Sequence, residues 1–224
     1  MISMNVLVTG AKGFVGKNLI SELKNKGYNN IFEYDIDTDK KLLEEYTKQC
    51  DFIFHLAGVN RPHNEEEYMQ GNFGFTSDML TLLKEQGNKA SILITSSIQA
   101  KLDNPYGRSK KAGEDLVFRF GKENGNKTLV YRLPNLFGKW CRPNYNSAVA
   151  TFCHNIANDL PIKVNDPNVV LTLAYIDDVV EEFINALNGK ENRNGEFCEV
   201  SKTYSVPLGY ITELLYSFKK SRED

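Results

Sequence analysis

The chain has 224 residues, 41% of them hydrophobic, and 27 lysines and arginines against 29 aspartates and glutamates give a formal net charge of −2. This balance lacks the basic excess typical of proteins that bind nucleic acids or anionic membranes. The four cysteines form no CxxC pair and the three histidines show no metal-ligand spacing, so we expect reduced thiols and no metal site. No apolar run approaches the roughly 20 residues that span a bilayer. Composition therefore predicts a soluble, cytoplasmic protein.

Short apolar runs alternate with amphipathic segments through the first 131 residues. Strands are predicted at 5–9, 30–34, 52–56, 91–95 and 128–131, and helices at 15–26, 42–48, 75–86 and 109–123. Alternating βα units of this length favour a Rossmann-type α/β fold, a doubly wound parallel sheet that binds its ligand at the carboxyl ends of the strands.

The alternation ends after Gly138. A polar and aromatic segment at 139–145 precedes a predicted helix at 148–158, a strand at 169–176, a helix from Asp177 and a C-terminal helix at about 208–220. We interpret residues 1–224 as one domain. Its cofactor core comprises about 1–138 and 171–187, and a small C-terminal substrate lid comprises about 139–170 and 188–224.

The first strand runs into three glycines spaced three apart, and a helix follows at once. Gly10 permits a sharp turn, Gly13 lets the backbone approach a pyrophosphate, and Gly16 lets the helix and the strand lie close together. Unpaired N–H groups at the helix N-terminus favour the phosphates. This order of strand, glycines and helix predicts a dinucleotide site. Its residues in this turn are Gly10, Lys12, Gly13, Phe14, Val15 and Gly16.

Asp35 follows the second predicted strand, nineteen residues after Gly16. A carboxylate there accepts hydrogen bonds from the adenosine ribose and repels a 2′-phosphate, which favours NAD. Lys12 acts in the opposite sense because its ammonium could neutralise a 2′-phosphate. Asp35 could instead be a solvated strand end, so the sequence predicts NAD or NADP without choosing between them.

The third predicted strand ends in His55-Leu56-Ala57-Gly58. The small residues would let a cofactor lie flat over the strand end, so we predict cofactor contacts from Leu56, Ala57 and Gly58. His55 lies among apolar residues, and we interpret it as a hydrogen-bonded structural histidine rather than a catalytic base.

The fourth strand ends in the hydroxyl of Ser97, and Tyr106 and Lys110 follow four residues apart at a helix start. Residues four apart lie on one helical face, where an ammonium lowers the pKa of a phenol towards neutral pH. Tyr106 could then exchange a proton with a substrate whose oxygen Ser97 polarises. Lys110 could also reach the nicotinamide ribose. These three residues are the predicted catalytic set.

With these motifs the chain resembles the extended short-chain dehydrogenase/reductase family of nucleotide-sugar epimerases, dehydratases and reductases. The resemblance runs from Met4 to about Ala186. It is carried by the glycine turn, Asp51 with 55–58, Asn72 with Thr76, the set Ser97, Tyr106 and Lys110, and the segments 132–138 and 175–179.

This resemblance implies that Ser97 and Tyr106 bind the sugar oxygen that is oxidised or reduced, and that Pro134 borders the nicotinamide. It also implies UDP-sugar contacts for Asn72, Asn135, Asn146, Pro161 and Val164, the last two through backbone groups around the uracil ring. Arg142 is expected to replace a diphosphate-binding arginine that segment 171–173 lacks. The gap between Ser97 and Tyr106 is shorter than in most relatives, which leaves Thr95 and Ser96 as alternative catalytic hydroxyls.

Four segments, 60–62, 97–100, 104–107 and 137–147, give a closer resemblance. They are similar to the N-terminal reductase domain of bifunctional capsular polysaccharide enzymes of the UDP-N-acetyl-L-fucosamine pathway. Those enzymes join an NADPH-dependent 4-keto reductase to a C-terminal cupin epimerase domain. We therefore expect either a stand-alone reductase or part of a longer fusion.

These features predict a reductase that uses NAD(P)H to reduce the C4 keto group of a UDP-linked 4-keto-6-deoxy-2-acetamido sugar. A UDP-sugar 4-epimerase with tightly bound NAD and a non-catalytic NAD(P)-binding sensor are the alternatives. A 4,6-dehydratase needs an acid and a base beside the catalytic hydroxyl, where this chain has Ile98 and Gln99. The resemblance also implies a homodimer through the helices at 75–86 and 109–123.

Overall fold

The computed structural model describes residues 3–222 of the chain. In chain order its strands are β1 (Val6–Thr9), β2 (Ile31–Tyr34), β3 (Phe52–His55), β4 (Ser91–Ser97), β5 (Thr128–Leu133), β6 (Asn135–Phe137), β7 (Val170–Tyr175), β8 (Arg193–Asn194), β9 (Phe197–Cys198) and β10 (Tyr204–Pro207). The helices are α1 (Phe14–Asn25), α2 (Lys40–Gln49), α3 (Glu66–Met69), α4 (Phe75–Glu85), α5 (Pro105–Asn124), α6 (Ala148–Ala157), α7 (Ile176–Leu187) and α8 (Leu208–Lys220). A π-helical turn, Gln70–Gly74, joins α3 to α4, and a 3-10 turn, Ile98–Lys101, follows β4.

The larger sheet has seven strands in the order β2-β1-β3-β4-β5-β9-β8. The first five strands along the chain pair in parallel, β9 joins β5 in parallel, and β8 pairs antiparallel with β9. β2 lies on one side of β1 and β3 on the other, so the strand order reverses at β1. In doubly wound sheets the ligand binds at this reversal, beyond the carboxyl ends of the strands. The predicted Rossmann-type fold is confirmed.

The core of this sheet is made by apolar strands that are covered by helices. On one face, Leu7, Ile53 and Ile92 have no exposed surface and belong to one cluster with Met79 of α4 and Val117 of α5. On the second half of α7, the ring of Phe183 lies 6.2 Å from that of Phe54 and 5.1 Å from that of Tyr131. Parallel strands buried in this way have nearly continuous apolar sequences, as these strands do.

His55, the last residue of β3, is 1% exposed and ties β1 to α4. Its Nδ1 lies 2.8 Å from the Thr9 hydroxyl and its Nε2 lies 2.8 Å from the Thr76 hydroxyl. Thr76 donates its own proton to the Asn72 carbonyl, so His55 Nε2–H donates to Thr76 and Nδ1 accepts from Thr9. Burial lowers the pKa of His55 to about 3. The interpretation of His55 as a structural residue is confirmed.

The chain divides into two compact units. The first contains the described residues up to Leu133 together with Val180–Glu199, and the second contains Pro134–Val179 and the residues from Val200 onward. In the second unit β7 pairs in parallel with β6 and antiparallel with β10. Helices α6 and α8 of this unit are joined by Lys219, whose Nζ donates to the Ile156 carbonyl at 3.0 Å.

Most predicted elements are confirmed, although their boundaries and grouping need correction. The strand at 170–175, predicted as part of the cofactor core, belongs to the second unit because it pairs with β6 and β10. Residues 188–199, predicted as part of the lid, belong to the first unit because β9 pairs with β5. The strands β6, β8, β9 and β10 were not predicted, since two to four residues carry little periodic pattern. Residues 3–222 contain no helix long and apolar enough to cross a membrane.

The buried state of His55 generates a prediction about acid stability. Between about pH 3 and 6.5 the unfolded chain binds a proton at this residue and the folded chain does not, so stability falls as the pH decreases through this range. We expect His55→Gln to be less stable than the wild type at neutral pH. Its free energy of unfolding should also fall less steeply on acidification, by up to about 1.4 kcal/mol per pH unit.

Urea denaturation over about pH 5 to 7.5 measures these slopes. His63→Gln, at an exposed histidine, is the control and should keep the slope of the wild type. Equal slopes for His55→Gln and the wild type would contradict the prediction.

Candidate active site

The turn after β1 contains the first part of the site. Gly10 has a φ of +70°, and a Cβ on it would lie 2.8 Å from the Ala57 backbone nitrogen. A Cβ on Gly16 would lie 2.3 Å from the Gly10 carbonyl oxygen, so α1 approaches the turn through bare backbone. Gly13 caps α1, and the first N–H groups of this helix, from Phe14 on, have no acceptor within the helix. The turn therefore presents open backbone donors that fit a pyrophosphate.

Carboxylates surround Lys12 at the carboxyl end of β2. Asp35 accepts the backbone N–H of Lys12 at 2.7 Å and that of Ile36 at 2.8 Å. The Lys12 ammonium pairs with Asp37, and this pairing lowers the pKa of Asp37 and raises that of Lys12. Sequence reasoning missed Asp37. The predicted contacts of Lys12 and Asp35 to the ribose stay predictions, with Asp37 as a competing partner of the lysine.

The end of β3 provides a surface with few side chains. Ala57 lies against Gly10, and a Cβ on Gly58 would lie 2.9 Å from Lys110 Nζ and 2.8 Å from Asn72 Oδ1. The backbone from Leu56 to Gly58 therefore connects the glycine turn to Lys110 without an intervening bulky group. This geometry fits a dinucleotide extended from the turn towards Lys110.

Three hydroxyls follow one another at the end of β4, and they have different partners. Ser96 donates to the buried carboxylate of Glu114 at 2.6 Å. Thr95 Oγ1 lies 3.5 Å from the His55 carbonyl oxygen. Ser97 Oγ accepts the Gln99 N–H at 3.2 Å, and Ser97 also acts on Tyr106, whose pKa it lowers. This arrangement favours Ser97 over Thr95 and Ser96 as the catalytic hydroxyl.

Helix α5 begins at Pro105, four residues earlier than predicted. Asn104 caps it by accepting the Gly107 N–H at 2.8 Å, and a proline in the first turn needs no hydrogen-bond donor. A Cβ on Gly107 would lie 2.4 Å from the carbonyl oxygens of Gln99 and Leu102. The first turn of α5 is thereby seated on the 3-10 turn after β4, which closes the short gap between Ser97 and Tyr106.

Burial shifts the pKa of two residues of α5 in opposite directions. The pKa of Lys110 is lowered to about 8, and its Nζ donates to the Thr95 carbonyl at 3.3 Å. The pKa of Tyr106 is raised by burial, while the Ser97 hydrogen bond acts in the opposite direction. The predicted net lowering of the Tyr106 pKa is wrong, because burial raises it. Lys110 Nζ lies 5.9 Å from the ring centroid and is bonded elsewhere, so burial dominates and Tyr106 stays a neutral phenol at pH 7.

Asn72 lies in the π-helical turn and is 5% exposed. Its amide donates to the Val59 carbonyl and to the Ser109 hydroxyl, both at 3.0 Å, and its oxygen accepts the Val59 N–H at 2.9 Å. These bonds occupy both amide hydrogens and link the loop after β3 to α5. Asn72 therefore supports the site from beneath, and its predicted substrate contact stays a prediction.

The remaining predicted residues lie in the second unit: Pro134, Asn135, Arg142, Asn146, Pro161 and Val164. Asn135 Nδ2 donates to the Thr172 carbonyl at 3.3 Å, the Arg142 guanidinium lies 5.7 Å from the ring centroid of Tyr145, and the Pro161 carbonyl accepts from Asn155 at 3.0 Å. The structure does not test their contacts to cofactor or substrate, which stay predictions.

The loop that carries Arg142 and Asn146 is not a simple connector. Trp140 and Asn144 both have positive φ, a conformation that side chains disfavour and that occurs often at functional sites. Together with β6 and α6 the loop lines an open pocket of about 330 Å³, bordered by Phe137, Gly138, Cys141, Pro143, Val149, Ala150, Cys153 and His154. Despite these thiols and this imidazole, residues 3–222 contain no cluster able to hold a metal ion.

Sequence reasoning also missed two residues next to the catalytic set. The ring of Tyr68 lies 5.6 Å from that of Tyr106. Glu114 is fully buried and forms a salt bridge with Arg132 at 2.6 Å. A signal for Glu114 was present, because it lies one turn after Lys110 on the helix face that also carries Val117. A charged residue at an apolar helix position indicates a buried partner.

Known proteins share this architecture. The chain is 46% identical over 220 residues to UDP-2-acetamido-2,6-beta-L-arabino-hexul-4-ose reductase of Pseudomonas aeruginosa. The aligned region covers 98% of this chain and 59% of that protein. The capsular polysaccharide assembling protein CapF from Staphylococcus aureus is 48% identical, with a TM-score of 0.91 over 99% of this chain and 60% of that one. The chain thus spans about three fifths of the length of these two relatives.

A more distant solved structure shares the fold. UDP-glucuronic acid 4-epimerase from Bacillus cereus, in complex with NAD, is 22% identical, with a TM-score of 0.76 over 90% of this chain and 80% of that one. Residues 6–200, which include the glycine turn and the Ser97, Tyr106 and Lys110 set, match the NAD dependent epimerase/dehydratase family. The chain belongs to the NAD dependent epimerase/dehydratase family.

Proposed function

We propose that this chain is the reductase of a UDP-linked 4-keto-6-deoxy-2-acetamido sugar, acting at the C4 keto group with NADH or NADPH. The observation that carries the proposal is the placement of Ser97 at the carboxyl end of β4 and of Tyr106 at the start of α5, with Lys110 Nζ 5.9 Å from the Tyr106 ring. The 46% identity to a reductase of a UDP-linked hexulose supports the substrate class. The chain would act in the synthesis of precursors for a bacterial surface polysaccharide.

The proposed chemistry assigns one task to each residue. The reduced nicotinamide, when bound, supplies the hydride that C4 receives. Ser97 donates a hydrogen bond to the keto oxygen, and Tyr106 gives that oxygen its phenolic proton as negative charge develops. Burial keeps Tyr106 protonated, which is the state that a proton donor requires. The Lys110 ammonium then stabilises the phenolate, which regains its proton through Lys110.

Alternative reactions make different demands on the same site. A 4,6-dehydratase is disfavoured because Ile98 and Gln99, both exposed, offer no acid or base beside Ser97. A 4-epimerase would use the same three residues and retain its NAD through turnover. A binding protein without activity would not require the Ser97, Tyr106 and Lys110 arrangement.

The decisive experiment incubates the chain with NADH or NADPH and a panel of UDP-linked 4-keto sugars, with NMR analysis of the products. We expect one mole of cofactor to be oxidised for each mole of C4 keto group that is reduced. NAD that copurifies in stoichiometric amount, with interconversion of C4 epimers and no net oxidation, would favour the epimerase.

Replacement of Tyr106 by Phe should reduce kcat by about 10²- to 10⁴-fold, because the ring is kept and the proton donor is lost. Nicotinamide binding should change little. The control is Tyr46→Phe on α2, whose ring stacks on Phe32 at 4.7 Å, and it should leave kcat unchanged. Retention of more than about a tenth of wild-type kcat in Tyr106→Phe would contradict the mechanism.

We propose that both cofactors are used, with kcat/KM for NADH at most about tenfold below that for NADPH. Asp35 would repel a 2′-phosphate, and at an effective dielectric near 20 an unrelieved contact costs several kcal/mol. Lys12 would offset part of this repulsion. Asp35→Ala should therefore shift the kcat/KM ratio towards NADPH, and Lys12→Ala towards NADH.

Steady-state kinetics with each cofactor measures that ratio. Glu33→Ala, two residues earlier on β2, is the matched control because Glu33 pairs with Lys24 and should not affect the ratio. An unchanged ratio in Asp35→Ala would make Asp35 a solvated strand end and remove it from the site.

We also propose a cytoplasmic homodimer through α4 and α5, whether the chain acts alone or beside a cupin epimerase domain. Isologous two-fold dimers are the commonest assemblies, and relatives in this family imply pairing through these helices. Light scattering at micromolar concentration should therefore give twice the mass of one chain. A monomer under these conditions would contradict the proposal.

A further inference from the structure

Glu114 lies on α5 one turn after Lys110, and its side chain has no exposed surface. Its carboxylate accepts three short hydrogen bonds: from Ser96 Oγ at 2.6 Å, from Arg132 Nε at 2.8 Å and from Arg132 Nη2 at 2.6 Å. A buried carboxylate is tolerated only when it is paired and hydrogen-bonded in this way.

The partners of Glu114 lie directly beneath the catalytic residues. Ser96 and Arg132 face each other across the β4–β5 ladder. Lys110 Nζ donates to the carbonyl of Thr95, the residue before Ser96. Two side chains one turn apart on α5 therefore hold consecutive residues of β4, immediately before Ser97. The Arg132 guanidinium lies 3.9 Å from the ring centroid of Phe197 and is held from that side too.

Two groups that face Lys110 are neutral, so the Glu114 carboxylate is the charge that balances the Lys110 ammonium. His55 on β3 is neutral because burial lowers its pKa to about 3, and Tyr106 on α5 is a neutral phenol. Burial lowers the pKa of Lys110 to about 8, and the Glu114 carboxylate raises it. Removing the carboxylate would therefore release the lysine proton at a lower pH.

We infer that Glu114 is a positioning residue, which seats the Tyr106–Lys110 turn of α5 on the end of β4 and supplies a negative charge opposite the Lys110 ammonium. This inference rests on the proposed function only in treating Lys110 as a catalytic residue. A purely structural Glu114 would affect stability alone, whereas a positioning residue also sets the protonation of Lys110.

The test measures the protonation midpoint of Lys110 by competitive acetylation at a series of pH values, with mass spectrometry of the Lys110 peptide. It needs no substrate. Glu114→Gln keeps the shape of the side chain and removes its charge, and should lower the midpoint by about one pH unit. The neighbouring Asp115→Asn is the control, because Asp115 is half-exposed and pairs with Lys111 at the surface. It should leave the midpoint unchanged.

Glu114→Gln removes the charged partner of the partly buried Arg132, which is 16% exposed, and this loss destabilises the folded protein. The double variant Glu114→Gln/Arg132→Gln removes both charges and keeps the fold testable. It should also lower the Lys110 midpoint, by less than the single variant. Glu114→Asp, which keeps the charge, should restore the wild-type midpoint even where its melting temperature is lower.

An unchanged Lys110 midpoint in folded Glu114→Gln, or in the double variant, would overturn the inference. With a substrate in hand, the basic limb of the kcat/KM profile should move to lower pH by the same amount as the midpoint. A shifted midpoint in a chain that reduces no 4-keto sugar would leave the inference intact and contradict the proposed function instead.

Discussion

Gly107 lies against the carbonyl oxygens of Gln99 and Leu102, and this contact between bare backbones determines where α5 starts relative to the end of β4. Asn104 and the following proline place the helix start at that point. Once the start is set, Tyr106 meets Ser97, and the residues at four-residue intervals follow on the same face. A side chain at position 107 would push the helix away from the strand end and move the predicted catalytic residues apart.

The packing of α5 on the end of β4 also determines which charged groups of the site are buried. Lys110 is withdrawn from water and its pKa falls to about 8, so the site must compensate an ammonium that burial disfavours. The Glu114 carboxylate, held by Arg132 of β5, is inferred to provide that compensation, and His55 remains neutral. Burial raises the pKa of Tyr106, so the site holds this residue in its protonated form.

The cofactor end of the site follows a different constraint, which is the absence of side chains. Gly10, Gly16 and Gly58 each occupy a position where a Cβ would collide with backbone or with a side chain of the site. Charge is confined to the rim, where Asp35 and Asp37 surround Lys12. Under the proposed function, phosphate recognition and the choice between NADH and NADPH would depend on separate groups, so substitutions at the rim should alter cofactor choice without changing the turn.

Local sequence patterns determined much of the fold and of the candidate site. The glycine turn, the alternation of strands and helices and the Tyr106–Lys110 spacing are local patterns, because backbone preference and helical periodicity act over a few residues. They were sufficient to predict the fold and to propose a family. The choice between Ser96 and Ser97 rests instead on tertiary contacts, since Ser96 donates to Glu114 and Ser97 acts on Tyr106.

Only the tertiary structure could show the remaining features. The Asn72 amide bonds Val59 and Ser109, which lie far from it in the sequence, and the buried Glu114 is paired by Arg132 of the neighbouring strand. The direction of the Tyr106 pKa shift depends on burial, which no spacing in the sequence reports. Local sequence determines which elements form, whereas desolvation and pairing between distant residues depend on which elements become neighbours.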